Sequence, residues 1–212
     1  KEGRGESIWL SEAYAEAMRL MAELFGYLKD ETKKQDYTRR YYRMREAINN
    51  SAWDGNWYIR CFDDSGRPIG SKENGQGKIF LEAQAWALIS GVAGPDRICK
   101  MVEACDAILQ TELGYALLAP TFTVRDDNIG RISCLEPGVC ENGTVYSHVN
   151  AWMILGFIKN HMPDKAYDTL KRILPGYLQG QGEWKNNCPP FMFANCYYGA
   201  DHRNNKMQME FT

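Results

Sequence analysis

The chain is 212 residues long, 44% hydrophobic and 12% aromatic, with a formal net charge of −2. That is enough apolar material for a substantial core, and the near-neutral charge without any Lys/Arg cluster excludes a nucleic-acid surface. No apolar run is long enough to span a bilayer, and no membrane partner is expected. The six Trp and twelve Tyr suit a neutral sugar, whose apolar faces stack on rings while its hydroxyls need polar partners, although most of these rings are expected to fill the core.

Taken in chain order, apolar residues at helical spacing predict an amphipathic helix over Ser7–Leu28, with Ser7 as its N-cap. A second helix is expected from about Gln35 to Ala52, closed by Asp54-Gly55. Trp57–Phe62 followed by Asp63-Asp-Ser-Gly66 reads as a strand and turn, the one β-hairpin expected, between Trp57 and Arg67. A third helix, Leu81–Ser90, ends at Gly91, and a fourth runs from about Asp96 to Leu113 behind Gly94-Pro95. Residues 114–143 form a long irregular connection, and connections of that length inside a domain are usually functional. Helices five and six are expected over Ser147–Asn160 and Asp164–Ile173, with loops beyond Gly176.

Two segments repeat without gaps: Gly77-Lys-Ile-Phe-Leu-Glu-Ala-Gln-Ala-Trp86 aligns on Gly143-Thr-Val-Tyr-Ser-His-Val-Asn-Ala-Trp152. Both lead from a loop into a helix, and such a period fits a ring of paired helices. The second copy follows Pro137-Gly138 and Asn142-Gly143, which break regular structure and place Glu141 and His148 at a helix N-terminus. A helix start carries unpaired N–H groups and a partial positive charge, so it suits an anion or a sugar hydroxyl. The seven cysteines show neither CxxC nor zinc-type Cys/His spacing; no metal is expected, and reduced thiols in the cytoplasm are the simplest account.

The order Pro137-Gly-x-x-Glu141-Asn-Gly-x-x-x-x-His148 resembles the inverting glycoside phosphorylases that act on cellobiose, cellodextrin, chitobiose and laminaribiose. So do Ala47–Arg60, Asp63–Gly75, Gly77–Trp86 and Gly3-Arg-Gly-Glu-Ser-Ile-Trp9, all in the family's order. The resemblance implies an all-α, (α/α)6 toroid, of which the six expected helices make about half as three helical hairpins. It implies an oligosaccharide and inorganic phosphate as partners, no cofactor, and a homodimer in the intact enzyme. The chain opens at Lys1 without a Met and stops at Phe211-Thr212 in mid-pattern, so a piece of a longer protein is expected.

A phosphorylase needs a general acid for the leaving oxygen and a seat for phosphate, but no catalytic base. By the resemblance the acid lies in a segment upstream of Lys1, so no catalytic residue is assigned within this chain. His148 matches the phosphate-binding His, Glu141 the residue that holds the acceptor sugar, and Trp86 the ring of the donor subsite; Trp152 is assigned to the core. Asn195 stands where relatives carry a Gln, a shorter amide for a donor-sugar contact. The tail around Cys188-Pro-Pro-Phe and Asp201-His-Arg-Asn-Asn205 is closer to cellodextrin-type members. An inverting hydrolase on the same toroid and a non-catalytic helical glycan-binding module are the alternatives, and phosphate dependence separates all three.

Overall fold

The structure is a computed structural model that describes residues 2–175, 192–203 and the backbone of 209–210. The predicted loop from Cys188 to Phe191, Asn204-Asn205 and the terminal Phe211-Thr212 lie outside the described residues. Among the described residues six α-helices form three consecutive pairs: α1 (Ile8–Tyr27) with α2 (Glu31–Ser51), α3 (Leu81–Ser90) with α4 (Pro95–Ile108), and α5 (Ser147–Lys159) with α6 (Pro163–Ile173). The odd-numbered helices also pack on one another, α1 on α3 and α3 on α5. They form an inner layer backed by the even-numbered ones, as in part of an α/α toroid.

Local chemistry sets the helix ends. Ser7 Oγ accepts from the Leu10 N–H at 3.3 Å to cap α1, and Asp30 Oδ1 accepts from the Lys33 N–H at 3.0 Å to cap α2. Gly91 closes α3 with φ 68°, the left-handed conformation that costs a residue without Cβ nothing. Pro95 and Pro163 open α4 and α6 at positions where the missing N–H is no loss.

The strands are short. Besides β1 (Glu6–Ser7), β2 (Cys61–Phe62) and β3 (Pro68–Ile69), there are β4 (Ile79–Phe80), β5 (Gln110–Thr111), β6 (Gly114–Tyr115), β7 (Leu118–Ala119), β8 (Val145–Tyr146), β9 (Cys196–Tyr197) and β10 (Met209–Glu210). The single expected hairpin is therefore corrected twice. Only Cys61–Phe62 pairs with Pro68–Ile69, and Glu6–Ser7 adds a third antiparallel strand to that sheet. Other pairs, β4 with β7, β5 with β6, and β8 with β9, brace the loops. The fourth helix also stops earlier than its apolar spacing suggests. Leu109 and Leu113 are buried, but they sit at and inside the β5–β6 turn, where Gly114 takes φ 117°.

Each inner helix begins in the same way. The N–H of its first residue donates to a carbonyl of a neighbouring extended segment: Ile8 to Arg60 at 3.2 Å, Leu81 to Leu117 at 2.8 Å, Ser147 to Asn195 at 3.0 Å. The two-copy sequence repeat is thus a three-copy structural one, and it brings all three inner N-termini to one end of the molecule. The main core beneath them includes Ile8, Leu81, Leu88, Val149, Met153 and Phe157. Burying such side chains contributes about 1.5–3 kcal/mol each against exposure.

Candidate active site

The second residue of each inner helix stands at that shared end: Trp9 in α1, Glu82 in α3 and His148 in α5. One turn deeper are Glu12 of α1, Trp86 of α3 and Trp152 of α5. Trp152 is the hub. Its ring centroid lies 5.8 Å from Trp9, 5.7 Å from Trp86 and 5.2 Å from His148. All nine other residues of α3 are buried, so Trp86 is the point at which this central helix reaches the inner face. Trp152, expected in the core, does pack on it, and its other contacts make it the floor that joins the remaining rings.

His148 is exposed, and its ring is wedged edge-on between Tyr146 at 5.2 Å and Trp152. Burial of part of the imidazole lowers its pKa below the ordinary 6.5, and the carboxylate of Glu82 opposes that shift. The N-cap residue of α5, Tyr146, makes no side-chain capping bond, unlike Ser7 of α1. The donor of Ser147 is already taken by Asn195, so any anion held at this end must use the ring and the next backbone groups.

Beside the rings lies a charged network that the sequence did not announce. Arg60 Nε donates to Glu82 Oε1 at 2.8 Å, its Nη1 donates to Ser7 Oγ at 3.1 Å, and its guanidinium lies 5.1 Å over Trp9. Ser7 therefore caps α1, as expected, and also accepts from Arg60. Glu12 is completely buried, and neither carboxyl oxygen has a hydrogen-bond partner. Burial pushes its pKa well above the carboxylate range; Arg60 opposes the shift and Glu82 adds to it. Arg60 thus pairs with the Glu82 carboxylate and lies near a second, buried carboxyl whose pKa is raised. The repeat held the signal for Glu82, since it aligns on His148 in the two ten-residue segments.

Glu141 is half-buried in the loop below β8, with Oε2 sequestered and unpartnered. The next residue anchors it: the Asn142 amide accepts from the Phe122 N–H at 2.7 Å and donates to the carbonyls of Phe122 at 2.8 Å and Leu135 at 2.9 Å. The loop is clasped from outside by residues 199–203. Gly199 N–H donates to the Gly138 carbonyl at 2.9 Å, and Arg203 pairs with Glu136 at 2.8 Å. Asn195 is exposed and shares an apolar cavity of about 450 Å³ with Ser147, His148 and Phe193. Trp86 and His148 are thus joined through one ring and Asn195 borders His148, while Glu141 stands on the adjoining loop.

Three stacked helix pairs with aromatic and acidic side chains gathered at the inner N-termini define part of an α/α toroid with a candidate site at one end. The GH63 mannosylglycerate hydrolase from Thermus thermophilus shares the fold: the TM-score is 0.62 at 14% identity, over 97% of this chain and 44% of that one. Residues 1–209 match the Glycosyl hydrolase 94 superfamily, catalytic domain, and the chain belongs to that family. It is 34% identical over 198 residues to solabiose phosphorylase of Paenibacillus borealis, covering 93% of this chain and 26% of that protein. It is 30% identical over 203 residues to N,N'-diacetylchitobiose phosphorylase of Vibrio proteolyticus, covering 95% of this chain and 25% of that protein. The chain therefore spans about a quarter of the length of these curated relatives.

Proposed function

We propose that this chain contributes the phosphate and sugar contacts of an inverting phosphorylase that converts a β-linked gluco-oligosaccharide and phosphate to α-glucose 1-phosphate and a shortened sugar. His148 holds the phosphate, Trp86 stacks on the donor sugar with Asn195 at its edge, and Glu141 accepts hydroxyl hydrogens of the acceptor. The general acid belongs to a segment ahead of Lys1, as the resemblance implies. Phosphate is already a nucleophile, so its oxygen attacks the anomeric carbon from the face opposite the departing oxygen, which the acid protonates. The stereocentre inverts, and no second carboxylate has to activate water.

The observation that carries this reading is the exposed His148 ring at the second residue of a helix without a side-chain cap, held between Tyr146 and Trp152 beside Trp86. An imidazole with helix N–H groups behind it suits a tetrahedral anion seated against a stacked sugar. Relatives named as phosphorylases of different disaccharides support the reaction class. The choice of a gluco-oligosaccharide rests on the resemblance of the tail sequence, Cys188-Pro-Pro-Phe with Asp201-His-Arg-Asn-Asn205, to cellodextrin-type members. The test is release of α-glucose 1-phosphate by the intact enzyme from cello-oligosaccharides with and without phosphate. Cleavage that proceeds equally well without phosphate overturns the reading in favour of a hydrolase, and binding without cleavage in favour of a glycan-binding module.

A further inference from the structure

The carbonyls that receive the first N–H of the inner helices belong to Arg60, Leu117 and Asn195, so these residues hold equivalent places in the structural repeat. The same register appears two residues earlier, where Tyr58 and Tyr115 make matching bonds to Gln84 and Asn150. The middle member, Leu117, is buried in the main core. The outer two carry polar side chains, Arg60 beside α1 and Asn195 beside α5, on either side of the central helix α3 that presents Trp86. Asn195 is the proposed donor-sugar contact at one edge of the rings, and its structural counterpart stands at the other edge.

Arg60 is a preorganised donor. Its backbone N–H donates to the Ile69 carbonyl at 2.7 Å, and Gly70 comes so close that a Cβ there would lie 2.6 Å from the Arg60 nitrogen. Its side chain is held by Glu82 through Nε, by Ser7 through Nη1 and by the face of Trp9. Nη2 makes no hydrogen bond among the described residues, and it is not one of their sealed, unpartnered atoms, so its N–H groups reach solvent. The Glu82 carboxylate already balances the guanidinium charge, which leaves directed donors with little net attraction for an anion. Such donors suit a neutral hydroxyl.

We propose that Arg60 is a sugar-binding residue that donates from Nη2 to a hydroxyl of the donor glucosyl unit lying across Trp86, at the edge opposite Asn195. It thereby makes that hydroxyl a requirement of recognition. The proposal rests on the donor-sugar reading of Trp86 and Asn195 and not on phosphate dependence.

The experiment is calorimetric titration of the intact enzyme, without phosphate, with cellobiose and with analogues that each lack one hydroxyl of the non-reducing glucosyl unit. At least one analogue should bind the wild type about ten- to a hundredfold more weakly than cellobiose, the cost of a charge-assisted hydrogen bond. Arg60→Lys keeps a cation beside Glu82 but not the fork of donors. It should bind cellobiose more weakly by a similar factor, yet bind that one analogue within about twofold of the wild type, because the two losses remove the same bond. Should Arg60→Lys fail to fold, Arg60→Met combined with Glu82→Gln leaves no unpaired charge and is read in the same way. A variant weakened equally for cellobiose and every analogue, a variant that binds all of them as the wild type does, or a wild type that does not bind cellobiose overturns the proposal. Cleavage assays on the wild type keep the two readings apart. Non-additive losses in an enzyme that cleaves without phosphate leave Arg60 standing and remove the phosphorolysis; equal weakening in a phosphate-dependent enzyme does the reverse.

Discussion

Gln84 and Asn150, at the fourth residue of α3 and of α5, make the same three hydrogen bonds. Gln84 accepts from the Tyr58 N–H at 3.0 Å and donates to the carbonyls of Tyr58 at 2.8 Å and Phe80 at 3.0 Å. Asn150 accepts from the Tyr115 N–H at 2.7 Å and donates to the carbonyls of Tyr115 at 3.0 Å and Tyr146 at 2.8 Å. Each amide satisfies the backbone N–H and carbonyl of a buried Tyr and ties it to the residue just before its helix.

Replacing either amide with Leu should therefore leave the buried N–H and carbonyl of one Tyr without partners, while the N-cap carbonyl of Phe80 or Tyr146 keeps its intrahelical bond. Each orphaned group costs about 1–3 kcal/mol, so Gln84→Leu or Asn150→Leu should destabilise by at least about 2 kcal/mol. Denaturant unfolding of the intact enzyme checks this. A loss under about 1 kcal/mol would mean that water or a shifted backbone replaces the amide.

Glu12 should report its burial through pH. The folded protein keeps its proton, whereas the unfolded chain releases it near the ordinary value of 4.5, so the folded state binds more protons above that pH. Glu12 is harmless below about pH 4.5, and its burial costs stability progressively as pH rises from there, by up to about 1.4 kcal/mol per pH unit until the folded carboxyl titrates. Glu12→Gln keeps the shape without the titration. Its stability relative to wild type should climb between pH 4.5 and neutrality; a constant difference would show Glu12 to be ionised in the fold.

The Glu82 carboxylate is the group that holds the His148 pKa up against partial burial. Glu82→Gln should lower it further below 6.5, seen in the titration of the imidazole proton signals with His148→Asn identifying the resonance. An unchanged curve would mean that the charge does not reach the ring.

His148→Ala should raise the KM for phosphate far more than that for the oligosaccharide, and equal rises would remove the phosphate assignment. Glu141→Gln should slow turnover by roughly ten- to a hundredfold, the cost of a charge-assisted hydrogen bond to a sugar hydroxyl. Rescue of Glu141→Gln by glucosyl fluoride in the synthetic direction, at wild-type acceptor KM, would make Glu141 the acid instead.

Gly199→Ala should injure the site more than the fold. A Cβ there would overlap the Gly143 carbonyl oxygen and stand 3.0 Å from the Gly138 Cα, backbone atoms that cannot rotate away. Relief requires moving the loop that carries Glu141, at a cost of about 1–3 kcal/mol. Activity falling only in step with thermal stability would argue that the clasp is not part of the site.

The helices and their order were legible in the chain alone, because apolar spacing, Ser7, Gly91, Pro95 and Pro163 act within one or two turns. A local repeat likewise placed His148 and Trp86. The Leu109–Leu113 stretch misled because its apolar spacing suits a helix, while the competing partner of Tyr115 is Asn150, far along the chain. Glu12 and Arg60 were illegible for the same reason, and Glu82 showed only as the counterpart of His148 in the repeat. Arg60 and Glu82 are ordinary charged residues until tertiary packing brings α1, α3 and the segment before β2 together, and the pKa of Glu12 rises only because that packing removes water from it. Packing also decided that Trp152 joins Trp9, Trp86 and His148, since rings from three helices meet only when the inner layer curves.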